Sequence, residues 1–232
     1  MDIVYLNVTD TNRLNLTAKT IQTLLYANKY LIDEFDWILK ADDDTYVIME
    51  NLKRFLLDKC PTEDTFYGFR YKPLKPDTFK HDFNSGGAGY VISNKAVKQF
   101  TSKYASDGKF CRNTTGAEDV DIAKCLGEIG VKPGDSRDEF GLERFHPLSY
   151  ESMWNITPMN KTYHHARFPL KSVRLFVYIE YCLFEALEIN SNLFLKREDC
   201  CSSSSISFHY TTGQKALQMD HLLYKLRPTI YY

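Results

Sequence analysis

The feature that most constrains the fold is an apolar segment that ends in three consecutive carboxylates. It covers residues 35–41, and Asp42, Asp43 and Asp44 follow it directly. An apolar run of this length predicts a buried strand with the acidic triplet at its carboxyl end. In open α/β sheets, ligands bind at that edge because the loops there converge on a crevice. We therefore expect a binding site immediately after this strand.

The acidic triplet itself predicts a bound cation. Three adjacent carboxylates repel one another, and Mg²⁺ or Mn²⁺ coordinates carboxylate oxygens while keeping positions open for water and substrate phosphates. Asp42 and Asp44 are two residues apart, so both could face one ion. A solvated acidic turn is the alternative interpretation, although turns favour single Asp residues for local hydrogen bonding. The residues thus favour a divalent-cation site.

The overall charge gives no reason to expect a nucleic-acid partner. The 232 residues carry a formal net charge of -1, without a basic tract or zinc-finger spacing. Nucleic-acid binding depends on clustered Lys and Arg. The aromatic content of 14% fits either a dense core or a carbohydrate site, and composition does not separate these two uses.

Cysteines and glycosylation sequons favour a secretory compartment. The six cysteines lack metal-ligand spacing, so disulfides are favoured over zinc, although the sequence does not fix the pairing. Asn-x-Ser/Thr sequons occur at Asn7, Asn15, Asn113, Asn155 and Asn160. No signal peptide opens the chain, and its most apolar segment, residues 175–195, is interrupted by glutamates. Either an N-terminal targeting segment is missing from this chain, or the protein is not secretory.

Hydrophobic periodicity predicts alternating strands and helices. A strand over Ile3–Leu6 and a helix over Leu16–Ile32 precede the central strand, which predicts a parallel strand pair with a right-handed crossover. Further helices are predicted over residues 50–59, 94–103, 118–129 and 215–226, and further strands over residues 65–69, 90–92 and 206–210.

Three other groups are ambiguous by pattern alone. Gly86 and Gly87 allow close backbone approach to a ligand, but a tight turn or bulge explains them equally well. The pair Glu118-Asp119 opens a helix, where acidic residues ordinarily complement the helix dipole. His209 lies in a predicted strand, where a hydrogen-bonded structural histidine is more usual than a ligand.

Six motifs, taken together and in order, closely resemble the core 1 β1,3-galactosyltransferases, the glycoprotein-N-acetylgalactosamine 3-β-galactosyltransferases. The resemblance runs from about Ile3 to Tyr163 and resumes from Cys200 to about Pro228. The motifs are Leu39–Val47 (LKADDDTYV), Ser85–Tyr90 (SGGAGY), Glu118-Asp119, Gly134–Asp138 (GDSRD), Cys200–Ser202 (CCS) and Ser207–Tyr210 (SFHY). Each motif alone is weak, whereas six in register are specific.

The resemblance implies a GT-A-like α/β fold with a mixed, mostly parallel sheet, here without its opening strand and helix. It implies Mn²⁺-dependent binding of UDP-galactose and transfer of galactose, with inversion, to the 3-hydroxyl of GalNAc linked to Ser or Thr. The implied metal ligands are Asp42, Asp44 and His209, and the implied catalytic base is Asp119. The implied donor-binding residues are Asp42, Asp43, Gly86 and Gly87.

The resemblance also implies an organisation and a location. Residues 1–163 would be a partial catalytic domain, residues 164–199 an atypical and helical insertion, and residues 200–232 the C-terminal part of the catalytic domain. Family members are type II Golgi membrane proteins whose catalytic domain is lumenal, and the N-terminal signal anchor is absent from this chain. The implied partners are UDP-galactose and GalNAc-bearing glycoproteins, with a homodimer as one possible assembly and without nucleic acid.

The chain departs from the family pattern after Tyr163. The family continues there with tryptophan-rich sequence that helps to form the acceptor site, whereas this chain reads His164-His165-Ala166-Arg167. This departure predicts weak acceptor affinity. It also leaves open a catalytically impaired fragment, a non-catalytic chaperone-like or binding relative, and a β1,3-glycosyltransferase that uses another sugar. The retained acidic residues and His209 favour an enzyme.

Overall fold

The structure is a computed structural model that describes residues 3–6, 8, 15–73, 80–112, 114–154, 166–168 and 200–226. The helices are α1 (Leu16–Tyr30), α2 (Met49–Leu57), α3 (Asn94–Ser106), α4 (Glu118–Glu128), α5 (Tyr150–Trp154) and α6 (Gln214–Asp220), which a π-helical turn (His221–Lys225) continues. The strands are β1 (Trp37–Lys40), β2 (Tyr46–Val47), β3 (Thr65–Gly68), β4 (Arg70–Tyr71), β5 (Phe83–Asn84), β6 (Tyr90–Ser93), β7 (Lys132–Pro133), β8 (Phe145–His146) and β9 (Ser207–Phe208).

The main sheet is mixed and has the strand order β1-β6-β3-β7. β6 runs antiparallel to both of its neighbours, with Leu39 opposite Val91 and Val91 opposite Tyr67, whereas β3 and β7 are parallel. A second sheet, β2-β9-β8, lies beyond the end of β1, and β4 and β5 form a separate hairpin. The predicted mixed α/β architecture is confirmed.

Two predictions about strand pairing are wrong. Residues 3–6 form no strand, and the side chains of Ile3 and Tyr5 are exposed. The central strand β1 instead pairs antiparallel with β6, and antiparallel pairs outnumber parallel ones among the described strands. Strand direction depends on contacts distant in sequence, which apolar periodicity does not encode.

Alternating side chains of β3 and β6 build two cores, one on each face of the main sheet. Phe66 and Ile92 point to the face covered by α1, α3 and α4. Tyr67 and Val91 point to the opposite face, where α2, α5 and the second sheet pack. At the start of α3, the hydroxyl of Ser93 accepts a hydrogen bond from the Ala96 N–H and caps the helix. This packing fixes the carboxyl end of β1 against the start of α4.

Two disulfides join Cys111 to Cys125 and Cys200 to Cys201, while Cys60 is exposed and is not disulfide-bonded to any described residue. Of the departing segment after Tyr163, residues 166–168 are described, and Ala166 bridges the edge strand β4 at Tyr71. His164, His165 and most of the predicted insertion lie outside the described residues. No helix in the described part of the chain has the length and apolar character needed to cross a membrane.

Candidate functional site

The acidic triplet forms a tight turn directly after β1. The Thr45 N–H donates to the Asp42 carbonyl at 3.1 Å, which closes the turn. The Thr45 hydroxyl accepts from the Asp42 N–H at 3.2 Å and donates to the Gly87 carbonyl at 2.8 Å. Asp43 is exposed in the same turn. Thr45 therefore fixes the acidic turn to the glycine turn that precedes β6.

Asp42, Asp44 and His209 come together at this turn. One ligand atom from each of them lies within 4.8 Å of the others. Antiparallel pairing of β2 with β9 brings His209 to the turn, and the Thr211 N–H donates to the Asp44 carbonyl at 2.8 Å. The His209 Nε2 lies 3.2 Å from Asp44 Oδ1. Residues about 165 positions apart in the chain thus form one cluster.

The orientation of His209 suits a metal ion. Its Nδ1 lies 3.3 Å from the Pro147 carbonyl, which can only accept a hydrogen bond, so a proton on Nδ1 would satisfy this contact. Nε2 faces Asp44 Oδ1 at 3.2 Å, and this tautomer would leave its lone pair free for a metal ion. An octahedral ion with bonds of about 2.1 Å needs ligand atoms about 3.0 to 4.2 Å apart. The observed cluster approaches this spacing.

Side chains of the protein itself leave no room for a Cβ at Gly87 and little room for one at Gly86. A Cβ at Gly87 would lie 2.1 Å from Cε1 of His209, and a Cβ at Gly86 would lie 3.1 Å from Glu118 Oε2. Real Cβ atoms do not approach other atoms as closely as the Gly87 position would demand. The backbone of Gly87 therefore forms one wall of the His209 position. Contact of these glycines with a donor sugar stays a prediction.

The neighbouring carboxylates Glu118 and Asp119 have different environments. Glu118 is buried and accepts hydrogen bonds from Tyr90 at 2.5 Å and Thr20 at 2.8 Å. Burial raises the pKa of Glu118, although the charge of Lys40 opposes this effect. Asp119 is half-buried, and its carboxylate accepts from the N–H groups of Gly86 at 3.1 Å and Val120 at 2.9 Å. Of this pair, Asp119 is the carboxylate with access to a substrate.

Lys40, the last residue of β1, lies between these groups. Its ammonium contacts Asp42 Oδ1 at 2.5 Å, the Gly86 carbonyl at 3.3 Å and Glu118 Oε2 at 3.4 Å. Burial alone would lower the pKa of Lys40, but the carboxylates of Glu118 and Asp42 outweigh burial and raise it. Lys40 is therefore a cation held within the site.

Two tyrosines border the same space. Burial raises the pKa of Tyr71, and electrostatic interaction with Asp119, Tyr210 and Glu143 raises it further. Tyr210 has a left-handed backbone with φ of +52°, which is uncommon for a residue other than glycine. Its ring stacks on the His209 imidazole with centroids 3.8 Å apart and is largely exposed. The exposed ring of Tyr210 therefore lies between the His209 imidazole and solvent.

Sequence reasoning missed the roles of Lys40, Thr45 and Tyr210. A lysine inside an apolar run was the available signal for Lys40, because a charged residue in a buried strand needs a charged partner. Thr45 joins two turns by hydrogen bonds, and Tyr210 is distinguished by its left-handed backbone. No composition or periodicity rule points to those features.

Comparisons with known proteins identify the family to which the chain belongs. The Fringe-like family model matches residues 6–213. Glycoprotein-N-acetylgalactosamine 3-beta-galactosyltransferase 1 of Xenopus laevis is 36% identical over 219 residues, which make up 94% of this chain and 54% of the relative. UDP-GlcNAc:betaGal beta-1,3-N-acetylglucosaminyltransferase 7 of Rattus norvegicus is 29% identical over 60% of this chain and 40% of the relative. Human beta-1,3-glucosyltransferase is 25% identical over 55% of this chain and 26% of the relative.

The chain thus spans about half the length of the galactosyltransferase it matches and less of the other two relatives. The resemblance and the GT-A-like mixed α/β fold predicted from the six motifs are confirmed. With a family model that covers most of its length and a relative at 36% identity, the chain belongs to the Fringe-like family.

Proposed function

We propose that this chain is the catalytic part of an inverting, divalent-metal-dependent β1,3-galactosyltransferase that acts on GalNAc linked to Ser or Thr. The observation that carries the proposal is the joining of two groups at one glycine turn. His209 of the cluster Asp42, Asp44 and His209 lies against Gly87, and Asp119 accepts a hydrogen bond from the N–H of the adjacent Gly86. A metal-binding donor site beside a carboxylate base is the arrangement that such a transfer requires.

The donor side of the proposal rests on the acidic turn. Asp42, Asp44 and His209 would hold the ion, for which Mn²⁺ is our first choice because it accepts carboxylate and imidazole ligands. When bound, such an ion neutralises the charge that develops on the departing nucleoside diphosphate. Asp43, Gly86 and Gly87 would contact UDP-galactose, as the family resemblance implies. The glycine backbones offer N–H and carbonyl groups without a side chain in the way.

The chemical step needs one base and one displacement. Asp119 takes the proton from the acceptor 3-hydroxyl while that oxygen forms a bond to the anomeric carbon. The bond from that carbon to UDP breaks on the opposite face, and UDP leaves with the electron pair. A single displacement converts the α-linked donor into a β-linked product. The two N–H bonds to Asp119 restrict the orientation of its carboxylate, and such positioning of the base would supply part of the acceleration.

The choice of galactose and GalNAc rests on the similarity to the galactosyltransferase, whose name states that it acts on glycoprotein N-acetylgalactosamine. The same likeness supports a location in the Golgi lumen. The sequons and the two disulfides fit an oxidising secretory compartment.

The proposal predicts a specific product. The purified chain, incubated with Mn²⁺, UDP-galactose and a peptide carrying GalNAc on threonine, should give galactose linked β1,3 to GalNAc. Mass spectrometry detects the added hexose, and NMR assigns the linkage. UDP-glucose and UDP-N-acetylglucosamine in parallel reactions are the matched controls, because the other relatives carry those sugars in their names. Preferred transfer from either control donor, or an α-linked product, would contradict the proposal.

A further inference from the structure

We propose that Lys40 is a positioning residue that holds the candidate metal ligand Asp42 and the turn carrying the candidate base Asp119 in a fixed relation. The contact geometry is independent of any assigned activity, and its catalytic meaning rests on the proposed function. Nothing in the metal cluster or in the family comparison assigns a role to this lysine.

The ammonium group of Lys40 is held by acceptors from three different parts of the site. Three acceptors surround Nζ, namely Asp42 Oδ1, the Gly86 carbonyl and Glu118 Oε2, at 2.5, 3.3 and 3.4 Å. Two of these contacts, to Asp42 and to the Gly86 carbonyl, are hydrogen bonds from the three N–H donors of the ammonium, and the contact with Glu118 is an ion pair. The side chain is 19% exposed. An ammonium with three partners and little solvent has one preferred position, unlike a surface lysine.

Gly86 connects Lys40 to Asp119. Its carbonyl accepts from Lys40, and its N–H donates to Asp119 Oδ2 at 3.1 Å. One peptide turn therefore separates the lysine from the candidate base. On its other side, the lysine holds Asp42 directly. A continuous chain of hydrogen bonds thus runs from a candidate metal ligand to the candidate base.

Glu118 anchors Lys40 at the buried end of these contacts. Glu118 is held by the hydroxyls of Thr20 and Tyr90, which belong to α1 and β6. This carboxylate fixes the ammonium against the core. A buried Lys–Glu pair alone could have a purely structural purpose. The shortest contact of Lys40, however, goes to Asp42, whose side chain is 41% exposed, and such a pair contributes little to folding stability. Orientation of Asp42 is the better explanation for that contact.

The test uses a charge-matched double variant. Lys40→Met together with Glu118→Gln removes one positive and one negative charge, so the net charge of the protein is unchanged while the hydrogen-bond chain is lost. The surface pair Lys95 and Asp64, 2.9 Å apart, gives the matched control, Lys95→Met with Asp64→Asn. Circular dichroism and thermal melting establish folding of both variants, and electron paramagnetic resonance measures Mn²⁺ affinity without any sugar present.

We expect the Lys40/Glu118 variant to remain folded and to bind Mn²⁺ about 10- to 100-fold more weakly, the usual effect of losing a group that orients a metal ligand. The control variant should bind Mn²⁺ like the wild type. A folded Lys40/Glu118 variant with wild-type Mn²⁺ affinity would overturn the inference, as would a wild-type chain that binds no divalent cation. If the Lys40/Glu118 double variant does not fold, the Mn²⁺ affinity of the single variant Lys40→Met is measured instead. A single variant that binds Mn²⁺ as tightly as the wild type would also overturn the inference.

The two proposals fail in different ways. A wild-type chain that binds Mn²⁺ but transfers no galactose would contradict the proposed function and leave the role of Lys40 intact. Retained transfer with unchanged Mn²⁺ affinity in the lysine variant would contradict only the role of Lys40.

Discussion

Replacing Asp119 with asparagine should lower the rate of galactose transfer about 100- to 10,000-fold, the range over which a general base contributes. Metal-dependent binding of UDP should be nearly unchanged, because Asp119 is not part of the cluster of Asp42, Asp44 and His209. The rate is measured under saturating donor and acceptor, so that the loss is assigned to the chemical step.

The structure explains why this substitution is a clean test. Asparagine keeps the size of the side chain but has a single carboxamide oxygen, so one of the N–H groups of Gly86 and Val120 loses its acceptor. We expect a loss of about 1 kcal/mol in folding stability from that bond, which melting would detect separately. Asp58→Asn, on the exposed end of α2, makes the same chemical change away from the site. Wild-type transfer by Asp119→Asn would show that the base is another residue.

Substitution of Gly87 by alanine should remove most of the metal affinity. The new Cβ would lie 2.1 Å from Cε1 and 2.3 Å from Nδ1 of His209, so the ring must leave its position. The His209 backbone cannot follow easily, because its N–H donates to the His146 carbonyl at 3.1 Å within the second sheet. Loss of one ligand from a three-residue cluster should weaken Mn²⁺ binding at least about 10-fold.

The measurement is titration of Mn²⁺ into the folded variant, with calorimetric or paramagnetic detection. Gly108→Ala is the matched control, since a Cβ there meets no atom within 4 Å and the backbone is not in the left-handed region. Unchanged Mn²⁺ affinity in Gly87→Ala would mean that His209 is not a metal ligand, whatever its position in the cluster.

The acidic turn and the helices that surround it could be predicted because their signals are local. The apolar run before Asp42 produced β1, and the helix predicted from residue 94 begins there. The helix predicted from Glu118 begins at that residue. Each of these features depends on residues a few positions apart.

Local sequence patterns could not predict which strands pair or which distant residues meet in the candidate site. The antiparallel β1–β6 pair joins residues at least about fifty positions apart, whereas the strand-helix-strand pattern assigned β1 to a parallel unit. The position of His209 beside Asp44 follows from β2–β9 pairing, and motif resemblance rather than periodicity indicated it. The same long-range packing distinguishes Glu118 from Asp119, which are equivalent in the sequence as acidic residues of a first helical turn.

The central claim is that the acidic turn and His209 form a metal-dependent nucleotide site, and thermal unfolding tests it most directly. The midpoint is measured with Mn²⁺ alone and with Mn²⁺ plus UDP, for the wild type and for Asp44→Asn. A ligand that binds only the native state raises the midpoint by mass action. We predict a UDP-induced rise that requires Mn²⁺ and is absent in Asp44→Asn. A cooperatively folded wild type without this rise, or an equal rise in Asp44→Asn, would contradict the claim.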